Sequence, residues 1–208
     1  QWLERVSEMG SPTGTEGEPD LCFRERSEKV FVVHRLDRDT SGVLVLARSH
    51  EIAGDLVAAF AARAVEKEYH AWVWGDLREA QRIDAPLGFE PGGAIRIRMA
   101  VIAGGLAAQT DVEPIAWGER DGRPVTLVRV LPRTGRQHQI RVHLASIGHA
   151  VVGDTLYGVT TPRLREAWEG TEDDGDRLRL HALRIAFRHP VTARGVDITA
   201  PPPVSFQL

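Results

Sequence analysis

The chain has 208 residues, 42% of them apolar, with 26 basic and 29 acidic side chains and a formal net charge of -3. That supports a real core, and it excludes both a chain disordered by composition and a polyanion binder held by net charge alone. Cys22 is the only cysteine, so an internal disulfide and a thiolate metal cluster are excluded, which fits a reducing compartment. No apolar run approaches the ~20 residues of a membrane helix.

Residues 1–30 carry an acidic excess, and "MGSPTGTEGEPD" (9–20) reads as a loop or connection. "VFVV" (30–33) and "GVLVLA" (42–47) are β-branched and apolar, which predicts two strands. Residues 50–65 predict a helix capped by Ser49, with Ile52, Leu56, Ala59 and Phe60 on one face. "KEYHAWVWG" (67–75) alternates, which places Tyr69, Ala71 and Val73 on one face of a strand and His70, Trp72 and Trp74 on the other. A strand is predicted over 94–102, and two more in "AAQTDVEPIAW" and "PVTLVRVL", joined by the turn "GERDGR". Residues 136–148 predict a short helix, with Ile140, Leu144 and Ile147 at helical spacing and Gly148 at its end. Residues 160–177 read as a solvated insertion with a short helix, 178–190 as a strand or pair of strands, and "PPPVSF" as a rigid tail. Strands without regular crossover helices predict an α+β fold with a mixed, mostly antiparallel sheet and peripheral helices.

Two stretches hold the candidate chemistry. In "HRLDRDTSG" (34–42), Asp37 sits in a charged turn after an apolar strand. Turn aspartates often only bond to amides. Here Arg35 and Arg38 shape the field, Thr40 and Ser41 add hydrogen bonds, and flanking strands hold the turn rigid. In "RVLPRTGRQHQIRVH" (129–143), Arg133, Arg136, His138, Arg141 and His143 crowd a segment with no acid. Its arginines fit either a solvated basic face or a phosphate-contacting surface with one arginine turned inward to a carboxylate. His143 fits a core histidine satisfied by a carbonyl. His138 and His143 are five apart, poor spacing for a metal pair, so no metal site is expected. No phosphate-loop or dinucleotide glycine pattern is present.

Taken together, "HRLDRDTSG", "KEYHAWVWG", "TGRQHQIRVHLASIGHAVVGDTLYG" and "RLHALRIAFRHP" resemble, in order and spacing, the RluA-type family of RNA pseudouridine synthases over about 31–200. The resemblance implies a catalytic domain at 30–208, with 1–29 a linker or incomplete N-terminal segment. It implies that Asp37 is the catalytic aspartate, Tyr69 stacks on the uracil, and Arg141 pairs with the aspartate. Ile140 belongs to the base pocket and Arg35 places the RNA, with Arg136 and His138 also on the substrate side. His34, Thr40, Ser41 and Gly42 look like loop scaffold.

The implied reaction detaches uracil from C1′ of ribose, turns it, and rejoins it through C5, with no redox change and no hydrolysis. No cofactor is therefore expected. A carboxylate can attack an electrophilic carbon or stabilise positive charge on the sugar, and a permanently charged guanidinium can orient it. The expected partner is a flipped-out uridine of rRNA or tRNA, reached at a cost of a few kcal/mol. A monomer in the cytoplasm is expected. The alternative is a non-catalytic RNA-binding module with the same fold, and a hydrolytic enzyme ranks well below it. The sequence departs from the family in lacking a Lys-Pro-x-Gly segment ahead of the first motif, and in having Ala150 where proline is frequent and Leu106 where a polar residue is frequent.

Overall fold

The computed structural model describes residues 29–92, 98–158 and 177–206. In chain order these form β1 (Phe31–Val32), β2 (Ser41–Gly42), β3 (Leu46–Ala47), α1 (His50–Ala61), β4 (Glu66–Trp74), β5 (Gln81–Asp84), β6 (Leu87–Phe89) and β7 (Met99–Val101). There follow β8 (Gln109–Arg120), β9 (Arg123–Pro132), α2 (Gln139–Ser146), β10 (Leu180–Arg188), β11 (Gly195–Thr199) and a 3-10 turn at Val204–Phe206. Among the described residues the main sheet runs β11-β10-β4-β9-β8-β5, antiparallel throughout. β2 adds to β10 in parallel, which makes the sheet mixed. The expected α+β architecture, a mostly antiparallel sheet with peripheral helices, is the one observed.

β4 lies in the middle of the sheet and the two faces of its alternation go to two cores. Ala71 and Val73, with Tyr69 beside them, pack with Val128, Val130, Ile140, Leu144 and Leu180. Trp72, with Trp74, packs with Val125, Val152 and Phe206 on the opposite face. Burying a side chain of this size contributes about 1.5–3 kcal/mol, so the two faces fix the strand's register. β8 and β9 meet in a two-residue turn at Asp121-Gly122, both at positive φ (53° and 70°), the hairpin geometry that Asp-Gly favours.

Several boundaries differ from expectation. The predicted strand 42–47 is two separate pieces. Gly42 (φ 116°) lets the chain leave β10, and β3 then pairs with β1 in a small second sheet. α1 stops at Ala61 because Arg63 takes a left-handed conformation (φ 59°), while Ser49 caps it as predicted, its hydroxyl accepting from the Ile52 N–H. α2 covers only Gln139–Ser146, because His138 before it is left-handed (φ 53°) and Gly148 (φ 86°) closes it. Of the strand predicted at 94–102, Met99–Val101 is a strand and 94–97 lie outside the described residues, as do all but Arg177 of the predicted insertion and all but residue 29 of the predicted 1–29 segment. β5, β6 and β11 were not anticipated.

Candidate active site

The Asp37 turn hangs between β1 and β2 and is closed by a hydrogen bond from the Thr40 N–H to the Asp37 carbonyl (3.0 Å). Its two ends are tied down by histidines. At the far end the ring of His34 stacks on Phe60 and its Nε2 accepts the Val45 N–H (2.8 Å). Burial first, and the Lys67 charge second, lower the His34 pKa to about 4, so the ring is neutral and able to accept. At the near end His181 on β10 gives its Nε2–H to the Ala200 carbonyl (3.0 Å), which leaves Nδ1 to accept the Ser41 hydroxyl (2.8 Å). A Cβ on Gly42 would overlap the Ala182 carbonyl, so only glycine lets β2 lie this close to β10. The Thr40 hydroxyl beside Asp37 is buried with no hydrogen-bond partner among the described residues.

The segment between β9 and α2 forms the opposite wall. Gln139, almost fully buried, anchors it. Its carbonyl oxygen accepts from the Thr134 hydroxyl (2.6 Å) and the Arg136 N–H (3.0 Å), and its amide donates to the Gln109 carbonyl and Thr110 hydroxyl (2.9 Å each). Thr110 in turn gives its hydroxyl hydrogen to Nδ1 of His143 (2.8 Å), whose Nε2–H reaches the Ala85 carbonyl (2.9 Å). His143 is therefore a satisfied core histidine. From β4, Lys67 donates to the Thr134 carbonyl (3.2 Å), and burial lowers its pKa.

Between the walls lies a cavity of about 460 Å³. Asp37, Tyr69, Ile140, His138, Arg35 and Arg136 all line it, with Leu180 and Val65 adding apolar surface and Lys67, Arg63 and Arg133 adding positive charge. Six of the seven residues singled out in the sequence therefore meet at one place, although they span a hundred positions. The seventh, Arg141, stands behind Asp37: its Nη1 is 3.4 Å from Asp37 Oδ2. The Asp37 side chain is 18% exposed and that of Arg141 6%. Tyr69, paired across to Val130 and Ala182, is pushed up to about 12 by burial and then by the Asp37 charge, so its phenol is neutral.

Two residues of the site were not singled out. Asp154, with no side-chain exposure, binds Arg141 at Nε and Nη2, both 2.7 Å, and also accepts the N–H groups of Leu156 (2.9 Å) and Tyr157 (3.0 Å). Burial opposes the Arg141 charge, but the bonds and charges of Asp154 and Asp37 outweigh it and raise its pKa. Tyr157 places its ring against the Arg141 guanidinium (5.1 Å), with its hydroxyl 2.7 Å from His138 Nδ1. The backbone delivers both residues. The Trp74 N–H donates to the Ala150 carbonyl and the Val152 N–H to the Trp72 carbonyl, 2.9 Å each, so Ala150–Val152 runs alongside β4 and brings the next turn under Arg141. The cue in the sequence was "GDTLYG": a lone acid and a tyrosine between glycines, after an apolar run. Among the described residues no cluster of metal-ligating side chains occurs.

The arrangement is a carboxylate oriented by a fixed guanidinium, facing an aromatic ring and an aliphatic side chain inside a positively charged rim. That suits binding a flat polar ring attached to a phosphodiester chain. A sequence model described as RNA pseudouridylate synthase matches residues 18–146. The chain belongs to the pseudouridine synthase family. An uncharacterized RNA pseudouridine synthase of Chloroflexus aurantiacus is 39% identical over 178 residues, which are 85% of this chain and 51% of that protein. The tRNA pseudouridine synthase C of Vibrio cholerae is 38% identical over 83% of this chain and 72% of its own length. The chain thus spans about half of the first of these relatives and under three quarters of the second. Among solved structures, human RNA pseudouridylate synthase domain containing 1 superposes with a TM-score of 0.72 at 31% identity, covering 86% of this chain and 72% of that one. No described helix of this pseudouridine synthase family member is long and apolar enough to cross a membrane.

Proposed function

We propose that the protein is an RluA-type RNA pseudouridine synthase that isomerises uridine in rRNA or tRNA, with Asp37 as its catalytic carboxylate. The observation that carries this is the contact of Arg141 with Asp37 at the back of a cavity walled by Tyr69 and Ile140. The RluA-type assignment is supported by the complete "HRLDRDTSG" and by the "KEY" that contains Tyr69.

In the reaction the N1–C1′ bond breaks, the uracil turns, and a C5–C1′ bond forms. The C5 hydrogen leaves as a proton and N1 gains one, so atoms and electrons balance without a redox partner. Asp37 supplies a carboxylate for the electron-poor C1′, as nucleophile or as counter-charge. Arg141 keeps it oriented while the base is detached. Tyr69 and Ile140 hold the detached ring and exclude water, which limits loss of the base. Arg35 and Arg136 hold the RNA backbone, with Arg136 steadied by its Nε–H to the Ala107 carbonyl (3.1 Å). Residues 30–208 form the catalytic domain, and cytoplasmic monomeric action belongs to the same proposal.

The test uses total RNA labelled with tritium at uridine C5, from cells lacking the gene. The wild type is expected to release tritium and the Asp37→Ala variant none, with RNA affinity within about threefold because phosphate contacts remain. Undiminished release by Asp37→Ala would sink the proposal.

A further inference from the structure

We infer that His138 presents a fixed N–H donor, on Nε2, to a carbonyl oxygen of the uracil held in the cavity, and that Tyr157 determines which ring nitrogen carries that hydrogen. The inference rests on the proposed function and deepens it by naming how the base is read.

The tautomer follows from the hydrogen-bond network. The Tyr157 hydroxyl oxygen accepts the backbone N–H of Met99 at 2.9 Å. An amide N–H only donates, so the Tyr157 O–H is free to be given to its other neighbour, His138 Nδ1, at 2.7 Å. Nδ1 then accepts and the neutral ring carries its hydrogen on Nε2. The other tautomer would aim two donors at one phenol oxygen and leave the phenol hydrogen without an acceptor among the described residues. Burial is the largest influence on this ring and lowers its pKa, with Asp37 opposing it, which favours the neutral form. A protonated ring would still keep its Nε2–H.

Among the described residues no hydrogen bond is made by Nε2; His138 as a residue is only 9% exposed and lines the cavity, so the access that Nε2 keeps is to the cavity. A donor whose remaining access is to a mostly enclosed cavity is complemented by an acceptor on whatever fills that cavity. Phosphates stay near water at the rim, where the exposed Arg35 and Arg133 lie. An acceptor deep beside Asp37 is a carbonyl of the base. The backbone keeps the ring in place: His138 is left-handed (φ 53°) immediately before α2, and its side chain makes no capping bond.

Two amide replacements separate the donor role from a structural one. The amide nitrogen of glutamine reaches the position of Nε2, and that of asparagine the position of Nδ1. Asparagine, however, suits the left-handed backbone better. Single-turnover tritium release is measured at saturating protein on the C5-labelled total RNA described above, alongside RNA affinity and thermal unfolding. The expected rate order is wild type, then His138→Gln within about tenfold, then His138→Asn and His138→Ala about a hundredfold down. The expected stability order places His138→Asn above His138→Gln. Tyr157→Phe is expected to slow the wild type several-fold but to cost nothing further in the His138→Gln background, where no tautomer remains to be set. Rates that follow the stability order, or a wild-type rate for His138→Ala, overturn the inference. So does a loss confined to RNA affinity with the saturated rate intact, which would put the contact on a phosphate. In each of these results the wild type is active and the proposed function stands. A wild type that releases no tritium from any RNA overturns the proposed function and this assignment with it.

Discussion

Arg141 is held by Asp154 through two hydrogen bonds of 2.7 Å and touches Asp37 through one contact of 3.4 Å. The guanidinium therefore owes its position to Asp154. Asp37 stays partly open to the cavity and is free to change partner during a reaction. A buried charge that loses its partner costs several kcal/mol, whereas a longer, partly exposed contact costs little. Asp154→Asn is expected to lower the unfolding free energy by about 3 kcal/mol. Asp37→Asn should change it by less than about 1 kcal/mol while abolishing turnover. Denaturant unfolding of both variants checks this, and equal losses would contradict the division of labour.

Tyr69 offers a flat ring and a hydroxyl that stays protonated, because burial and Asp37 push its pKa to about 12. A phenolate is therefore absent in the working range, and the hydroxyl acts as a neutral group. Tyr69→Phe keeps the ring, so RNA affinity is expected within about twofold, while the saturated rate falls by roughly 100-fold, the usual worth of a positioned proton-handling group. Tyr69→Ala also removes packing against the core beside Val130 and Ile140, at about 3 kcal/mol of stability. A Phe variant at full rate would reduce Tyr69 to a stacking surface.

The parts of this molecule legible in the sequence are those with a local signature. β4 alternates in direction from residue to residue, so Tyr69, Ala71 and Val73 fall on one face and Trp72 and Trp74 on the other, as the two cores show. Asp37 stands in a motif whose charges exceed what a turn needs. Asp154 and Tyr157 were not legible, because their importance lies in contacts with Arg141 and His138 that no periodicity encodes. The split of "GVLVLA" was hidden for a related reason. The apolar pattern is continuous, but Gly42 binds β10 while Leu46 binds β1, and the choice of partner is tertiary. The short strands β5 and β11, "QRID" and "GVDIT", carry mostly exposed side chains, so burial left little pattern to read.

His34 makes stability depend on pH. Its pKa falls from 6.5 to about 4 on folding. Above pH 6.5 the ring is neutral in both states and the contribution is fully present. Between 6.5 and about 4 the unfolded chain binds a proton that the folded one refuses, so stability drops as pH falls, and it levels off below about 4. The full shift corresponds to about 3 kcal/mol, and partial exposure brings this nearer 1–2 kcal/mol. His34→Gln keeps an acceptor for the Val45 N–H but does not titrate. Its unfolding free energy, measured from pH 7 to pH 4, is expected to fall less steeply than the wild type's by that amount. Parallel curves would show that His34 is not the group responsible.

Gly42 and Gly54 should respond to alanine in opposite directions. Gly42 has φ 116°, and an added Cβ would overlap the Ala182 carbonyl, which the β2–β10 pairing holds in place. Relief requires β2 to move, and with it the turn that carries Asp37 five residues earlier. Gly42→Ala is expected to cost at least about 2 kcal/mol and to lower the saturated rate more than RNA affinity, since the rim arginines are untouched. Gly54 lies in α1 with nothing within 4 Å of an added Cβ. There alanine removes only the entropy of glycine in a helix, so Gly54→Ala should stabilise by about 0.5–1 kcal/mol with activity unchanged. Unfolding midpoints and tritium release on the pair read both effects. A tolerated Gly42→Ala would mean that the Asp37 turn does not depend on the close approach of β2 to β10.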